Sequence, residues 1–141
     1  ITDDQKIVDA GILLLDEKKP TRMDQFARMH EIYEFFVNML EKDKQPIKGV
    51  AMEKLFFTKY NQSNAEFVYG VRGSLGMLFR KHTIPLYEYT PNQLKQYITG
   101  NGKASKELMQ QMAMKLFDLE EMPKWHDTAD ALGLARLASR K

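Results

Sequence analysis

Short apolar runs alternate with stretches of helical period along this chain, and that alternation limits it to a layered α/β fold. Residues 6–15 (Lys-Ile-Val-Asp-Ala-Gly-Ile-Leu-Leu-Leu), 47–57 and 84–89 read as strands. The run at 47–57 is mostly apolar rather than alternating, as expected of a strand covered on both faces. Between the first two, Thr21 is a candidate N-cap for a helix to about Lys42, with an apolar stripe of Phe26, Met29, Tyr33, Phe36 and Leu40. A second helix is expected from Asn61 to Lys81, with Gly70, Gly73 and Gly76 at three-residue intervals. Such glycines cost helix stability and let another backbone approach closely.

Thr90-Pro91 opens a third helix with proline at its first position. The stretch Thr99-Gly100-Asn101-Gly102-Lys103-Ala104 reads as a flexible turn, after which Ser105 caps a helix to about Phe117. A loop through Pro123 and Trp125 leads to a last helix over about 127–139. With 141 residues and no linker, repeat or low-complexity tract, a single domain spanning 1–141 is expected.

The net charge of +2 is too small to imply nucleic acid, but its distribution is uneven. Residues 54–106 carry eight Lys or Arg against two acids, whereas residues 1–53 and 107–141 are net acidic. A basic middle suits phosphate, although a solvated surface gives the same count. The chain has no cysteine, which excludes disulfides, thiolate zinc sites and thiol nucleophiles. His30, His82 and His126 lack the spacing of a histidine metal site. No apolar run reaches the roughly 20 residues of a membrane span, and the polar start is unlike a signal peptide, so a cytoplasmic protein with no membrane partner is expected.

Three carboxylates stand where a metal-dependent nuclease would use them. Glu53 ends the apolar run Gly49-Val50-Ala51-Met52, and Asp127 and Asp130 open the last helix three residues apart, on one side of it. Each has a plainer reading: strand exit for Glu53, capping and helix-dipole stabilisation for the aspartates. Together they suit hard cations, and two ions about 4 Å apart can activate water and stabilise the leaving oxygen of a phosphoryl displacement. Lys95, Lys103 and Lys106 can contact backbone phosphates or simply be solvated, and Phe56 and Phe57 can stack on a base or fill the core. Gly100-Asn101-Gly102-Lys103 is no nucleotide loop: Tyr97 stands at the first glycine's place and Ala104 replaces the hydroxyl after the lysine.

Several motifs in order resemble the RuvC-type Holliday junction resolvases. They are Met52-Glu53-Lys54-Leu55-Phe56-Phe57 with Lys59 and Asn61, then Ala65 to Gly73, Pro85 to Tyr89, and Gln93-Leu94-Lys95-Gln96. Thr99 to Lys106 and Asp127-Thr128-Ala129-Asp130-Ala131-Leu132 complete the set, so the resemblance covers roughly residues 7–139. It implies an RNase H-like α/β fold, a mixed sheet flanked by helices, and a homodimer that cuts opposed strands of four-way junction DNA symmetrically. It further implies Mg²⁺ or Mn²⁺, two ions, held by Glu53, Asp127 and Asp130, with Lys106 at the active site. Phe56, Lys59, Lys95, Lys103 and Lys106 would contact DNA, and helix 61–81 would form the dimer interface. A bacterial branch-migration motor is an implied partner.

The family begins with a strand carrying a catalytic aspartate in a G-I-D-P-G-like motif, followed by a second strand. Neither is present here, and Asp3, Asp4 and Asp9 lie outside such a motif. The run at 6–15 looks like the family's third strand, so two N-terminal strands are expected to be missing from this sequence. The expected function is a Holliday junction resolvase that leaves a 5′-phosphate and a 3′-hydroxyl. The alternatives are a non-catalytic junction-binding relative, degenerate or truncated, and another RNase H-like nuclease acting on RNA or duplex ends.

Overall fold

The structure is a computed structural model that describes residues 1–4, 6–15, 22–42, 46–54 and 65–140. Its elements run α1 (Arg22–Lys42), β1 (Val50–Glu53), α2 (Ala65–Lys81), β2 (Leu86–Tyr89), α3 (Pro91–Thr99), α4 (Lys106–Leu116) and α5 (His126–Ser139). The expected helices and the strands at 47–57 and 84–89 are all represented. The proposed Thr21 cap, the end of the first of those two strands at 55–57 and the helix start at 61–64 lie outside the described residues.

The chain gathers into two compact units, each built from separated stretches of sequence. The first comprises residues 1–12, 49–55 and 87–141; the second comprises residues 13–48 and 56–86. In the first unit β1 pairs with β2, most of which belongs to that unit. The Lys54 N–H donates to the Tyr89 carbonyl at 2.7 Å, joining the carboxyl ends of both strands, so they run parallel.

Helices α3, α4 and α5 pack on one another, and β1 packs on α5. Their core is Leu94 and Ile98 of α3, Met109 of α4 and Leu134 of α5, covered by Ala51, Tyr89 and Tyr97 among others. Gly133 permits the approach of α5 to α3: a Cβ there would sit 3.1 Å from both Leu94 Cδ1 and Ile98 Cγ1. Local chemistry sets the helix ends. The Thr90 hydroxyl accepts from the Gln93 N–H at 3.1 Å while the Gln93 side chain accepts from the Thr90 N–H at 2.8 Å, a reciprocal box that starts α3 at Pro91. Ser105 caps α4 by accepting from the Leu108 N–H at 3.1 Å.

In the second unit α1 packs on α2. Leu75, Leu78 and Phe79 are buried, and Phe36 meets Phe79 edge to face at 6.1 Å. Of the three spaced glycines only Gly70 serves this packing; a Cβ there would lie 2.7 Å from Met29 Cε, whereas Gly73 and Gly76 face open space. The expected α1 stripe is half-buried at Met29, Tyr33, Phe36 and Leu40, but Phe26 is 54% exposed.

The strand expected at 6–15 is not one. These residues form no ladder, and Val8 (73%) and Leu14 (69%) are largely exposed. A strand exists through the partner that satisfies its backbone N–H and C=O groups, and no described strand pairs with this run. Among the described residues no helix is long and apolar enough to cross a membrane.

Candidate metal and phosphate site

The first turn of α5 gathers the charge. Trp125 is its N-cap, in extended geometry (φ −106°, ψ 130°), and its carbonyl accepts from the Thr128 N–H at 3.1 Å and the Ala129 N–H at 3.4 Å. No side chain caps this end, so the carboxylates that follow meet the positive end of the helix. Asp127 projects outward with 67% of its side chain exposed, whereas Asp130, one turn on, is half-buried.

The Asp130 carboxyl is pushed above the usual aspartate value, first because burial disfavours its charged form. The charge of Asp127 raises it further, while His126, Lys95 and Lys106 act in the opposite direction. Asp130 therefore lies within electrostatic reach of four charged or titratable side chains from three helices. Of the site residues expected from sequence, the structure brings together Asp127, Asp130, Lys95 and Lys106.

The turn between α3 and α4 sets the two lysines. Gly100 takes φ +79°, the left-handed conformation glycine adopts without strain, and its N–H closes α3 on the Gln96 carbonyl at 2.9 Å. The Gln96 amide donates to the Gly100 carbonyl at 3.0 Å and accepts from the Gly102 N–H at 3.1 Å. The Lys103 N–H donates to Asn101 Oδ1 at 2.9 Å, and the Thr99 hydroxyl donates to the Lys95 carbonyl at 2.7 Å. The turn expected to be flexible is thus cross-braced along its length. It holds half-buried Lys95 and exposed Lys106 in charge range of Asp130, with Lys103 exposed at its tip. Lys106 occupies the first helical position of α4, where a cation opposes the helix dipole.

Glu53 is half-buried at the carboxyl end of β1, on the strand that packs against α5. Phe56 and Lys59 lie outside the described residues. Among the described residues no three His, Asp or Glu side chains are drawn close enough to enclose a metal. The pair on α5 still suits a hard divalent cation in its chemistry. A half-buried carboxylate beside a second carboxylate supplies oxygen donors, which are what Mg²⁺ takes. Sequence reading passed over His126 because its spacing to other histidines is wrong. Its Nε2 is 3.4 Å from Asp127 Oδ1, a contact that its place directly before Asp127 signals.

A family model described as crossover junction endodeoxyribonuclease RuvC matches residues 4–137. The protein of that name from Pseudothermotoga lettingae is 42% identical over 108 residues, 77% of this chain and 65% of the relative. That from Thermotoga maritima is 38% identical over 116 residues, 82% of this chain and 67% of the relative. That from Desulfitobacterium hafniense is 46% identical over 94 residues, 67% of this chain and 56% of the relative. The chain thus spans less than two thirds of the P. lettingae and D. hafniense relatives. Among solved structures, Thermus thermophilus RuvC superposes with a TM-score of 0.74 at 25% identity, over 95% of this chain and 81% of that one. T. thermophilus RuvC in complex with Holliday junction substrate gives 0.76 at 24% identity with the same coverage. The architecture shared with these structures is the RNase H-like α/β fold.

Proposed function

This chain belongs to the RuvC family of crossover junction endodeoxyribonucleases, and from that premise we propose that it resolves four-way DNA junctions by hydrolysing phosphodiesters. The observation that carries the reading is the cluster at the start of α5, where Asp130 lies in charge range of Asp127, Lys95 and Lys106. Carboxylates and lysines so interleaved can hold a cation and a phosphate side by side. Asp127 and Asp130, with Glu53 from the strand packed on α5, would hold Mg²⁺ or Mn²⁺, as two ions. Bound there, the metal supplies Lewis acidity for phosphate oxygens and lowers the pKa of water.

The protein's own groups do the remainder. Lys95 and Lys106 attract the phosphate and offset charge that builds on its oxygens as the bond to the 3′ oxygen breaks. That cleavage leaves a 5′-phosphate and a 3′-hydroxyl. Lys103, on the exposed tip of the braced turn, reaches a neighbouring phosphate, and Phe56 and Lys59 are further DNA contacts in this reading. His126 steadies the outward carboxylate of Asp127.

Symmetric cutting requires two copies. Tyr69, Gly73 and Met77 stand at four-residue intervals on an exposed stripe of α2, and this supports a homodimer through that helix. A branch-migration motor partner and a bacterial cytoplasmic setting belong to the same proposal.

The test offers the protein, with Mg²⁺, a four-way junction, the corresponding linear duplex and an RNA–DNA hybrid of equal sequence. Cleavage confined to the junction is expected. Equal cutting of the hybrid or of duplex ends would favour a different RNase H-like nuclease, and junction binding without cleavage would favour a non-catalytic relative.

A further inference from the structure

We propose that Trp125 is a stacking platform for an unpaired base of the junction, within one to two nucleotides of the phosphate facing Asp127 and Asp130. This rests on the reading that the chain engages junction DNA at those carboxylates. The indole is 39% exposed, and Met122 in the same loop is 45% exposed. The ring is thus partly open to solvent directly before the charged first turn of α5.

Its backbone, by contrast, is fixed on both sides. The Trp125 carbonyl is tied into the first turn of α5, and the Gln110 side-chain amide on α4 donates to the Pro123 carbonyl at 2.9 Å. Lys124 holds its ammonium over one face of the indole, 5.3 Å from its centroid. A nucleotide would stack its base on the opposite face of the ring, with its phosphate meeting the lysine charge.

Spacing supports the same occupant. From Trp125 to Asp130 is five helical positions, or about 7.5 Å along the axis at 1.5 Å each. At the 3.4 Å rise of a stacked strand that is about two nucleotides, and an unstacked strand spans it in about one. A base in a continuous duplex is stacked on both faces and has none free for the indole. Bases flanking a strand exchange can be unstacked and present one.

Tryptophan occurs once in the chain, so its fluorescence reports this ring alone. The experiment titrates wild-type protein with a labelled four-way junction in EDTA, reading binding by anisotropy of the label and stacking by quenching of Trp125. Saturable quenching that follows binding is expected. A junction with abasic sites at the crossover should bind but lose most of the quenching. Trp125→Ala should bind about tenfold more weakly, within the range for one stacked base, and Trp125→Phe should restore most of that loss. Binding without quenching, equal quenching by the abasic junction or by linear duplex, or a Trp125→Ala affinity within twofold of wild type would overturn this inference alone. No binding of the junction by the wild-type protein would overturn the parent reading with it.

Discussion

Replacing Asp130 with asparagine should make the protein more stable at neutral pH while abolishing its cleavage. The carboxyl sits half-buried beside Asp127, and its proton is held above the ordinary value of 3.8, with burial the leading cause. In the unfolded chain Asp130 titrates near that ordinary value. Below it both states are protonated and the carboxyl costs nothing. As pH rises from there through the raised folded-state value, the native protein must surrender a proton it holds more tightly than the unfolded chain, and stability falls. At neutral pH the whole cost is present, and Asp130→Asn removes it.

The size of the effect is modest. Side chains three apart on a helix have Cβ atoms about 5–6 Å apart, and two unit charges at about 6 Å repel by about 0.7 kcal/mol at the dielectric of water. Asp127 is 67% exposed, so the solvent-screened value is the relevant one, and Lys95, Lys106 and His126 offset part of it. With the burial cost added, a gain of about 0.5–1 kcal/mol remains, or about 2–4 °C in Tm for a chain of this size. The assay is thermal unfolding of wild type and variant at pH 7 and pH 3 in EDTA. The variant should melt higher at pH 7 and the difference should vanish at pH 3. Excess Mg²⁺ should then stabilise wild type, by about 2.7 kcal/mol at a hundredfold of its Kd, and leave the variant unmoved. A variant that melts at or below wild type at pH 7, or keeps its advantage at pH 3, would refute the reasoning.

Glu53→Gln should abolish junction cleavage and retain junction binding, as a strand-end carboxylate that serves the metal would; near-normal cutting would remove Glu53 from the site. Lys106→Ala should slow cleavage by roughly 10- to 100-fold, a loss of about 1.4–2.7 kcal/mol of transition-state stabilisation. A rate unchanged across Mg²⁺ concentrations would end its proposed role. Thr90→Ala, which breaks the reciprocal cap of α3, should destabilise the protein by about 1 kcal/mol in chemical denaturation, and an unchanged midpoint would contradict the capping geometry.

Much of the fold was legible because its signals are local. Thr90-Pro91 and Ser105 mark helix starts as the sequence implies, and each start is closed by hydrogen bonds within four residues. The run at 6–15 failed for the opposite reason. Apolar content makes a strand possible, but a partner with free backbone groups makes it actual. Spaced glycines were ambiguous in the same way: only the approach of Met29 distinguishes Gly70 from Gly73 and Gly76. At the site, the i, i+3 placement of Asp127 and Asp130 was readable from spacing. That Lys95 and Lys106 come within charge range of Asp130 was implied by the resemblance but not readable from spacing, because it depends on the braced turn at 99–104 and on how α3 and α4 pack against α5.

The most direct single measurement is to map the ends produced from a four-way junction by the protein with Mg²⁺. A resolvase built on this site should nick two opposed strands at symmetric positions, leaving 5′-phosphates and 3′-hydroxyls that a ligase reseals. Intact junction strands, or scattered cuts with ends that cannot be ligated, would contradict it.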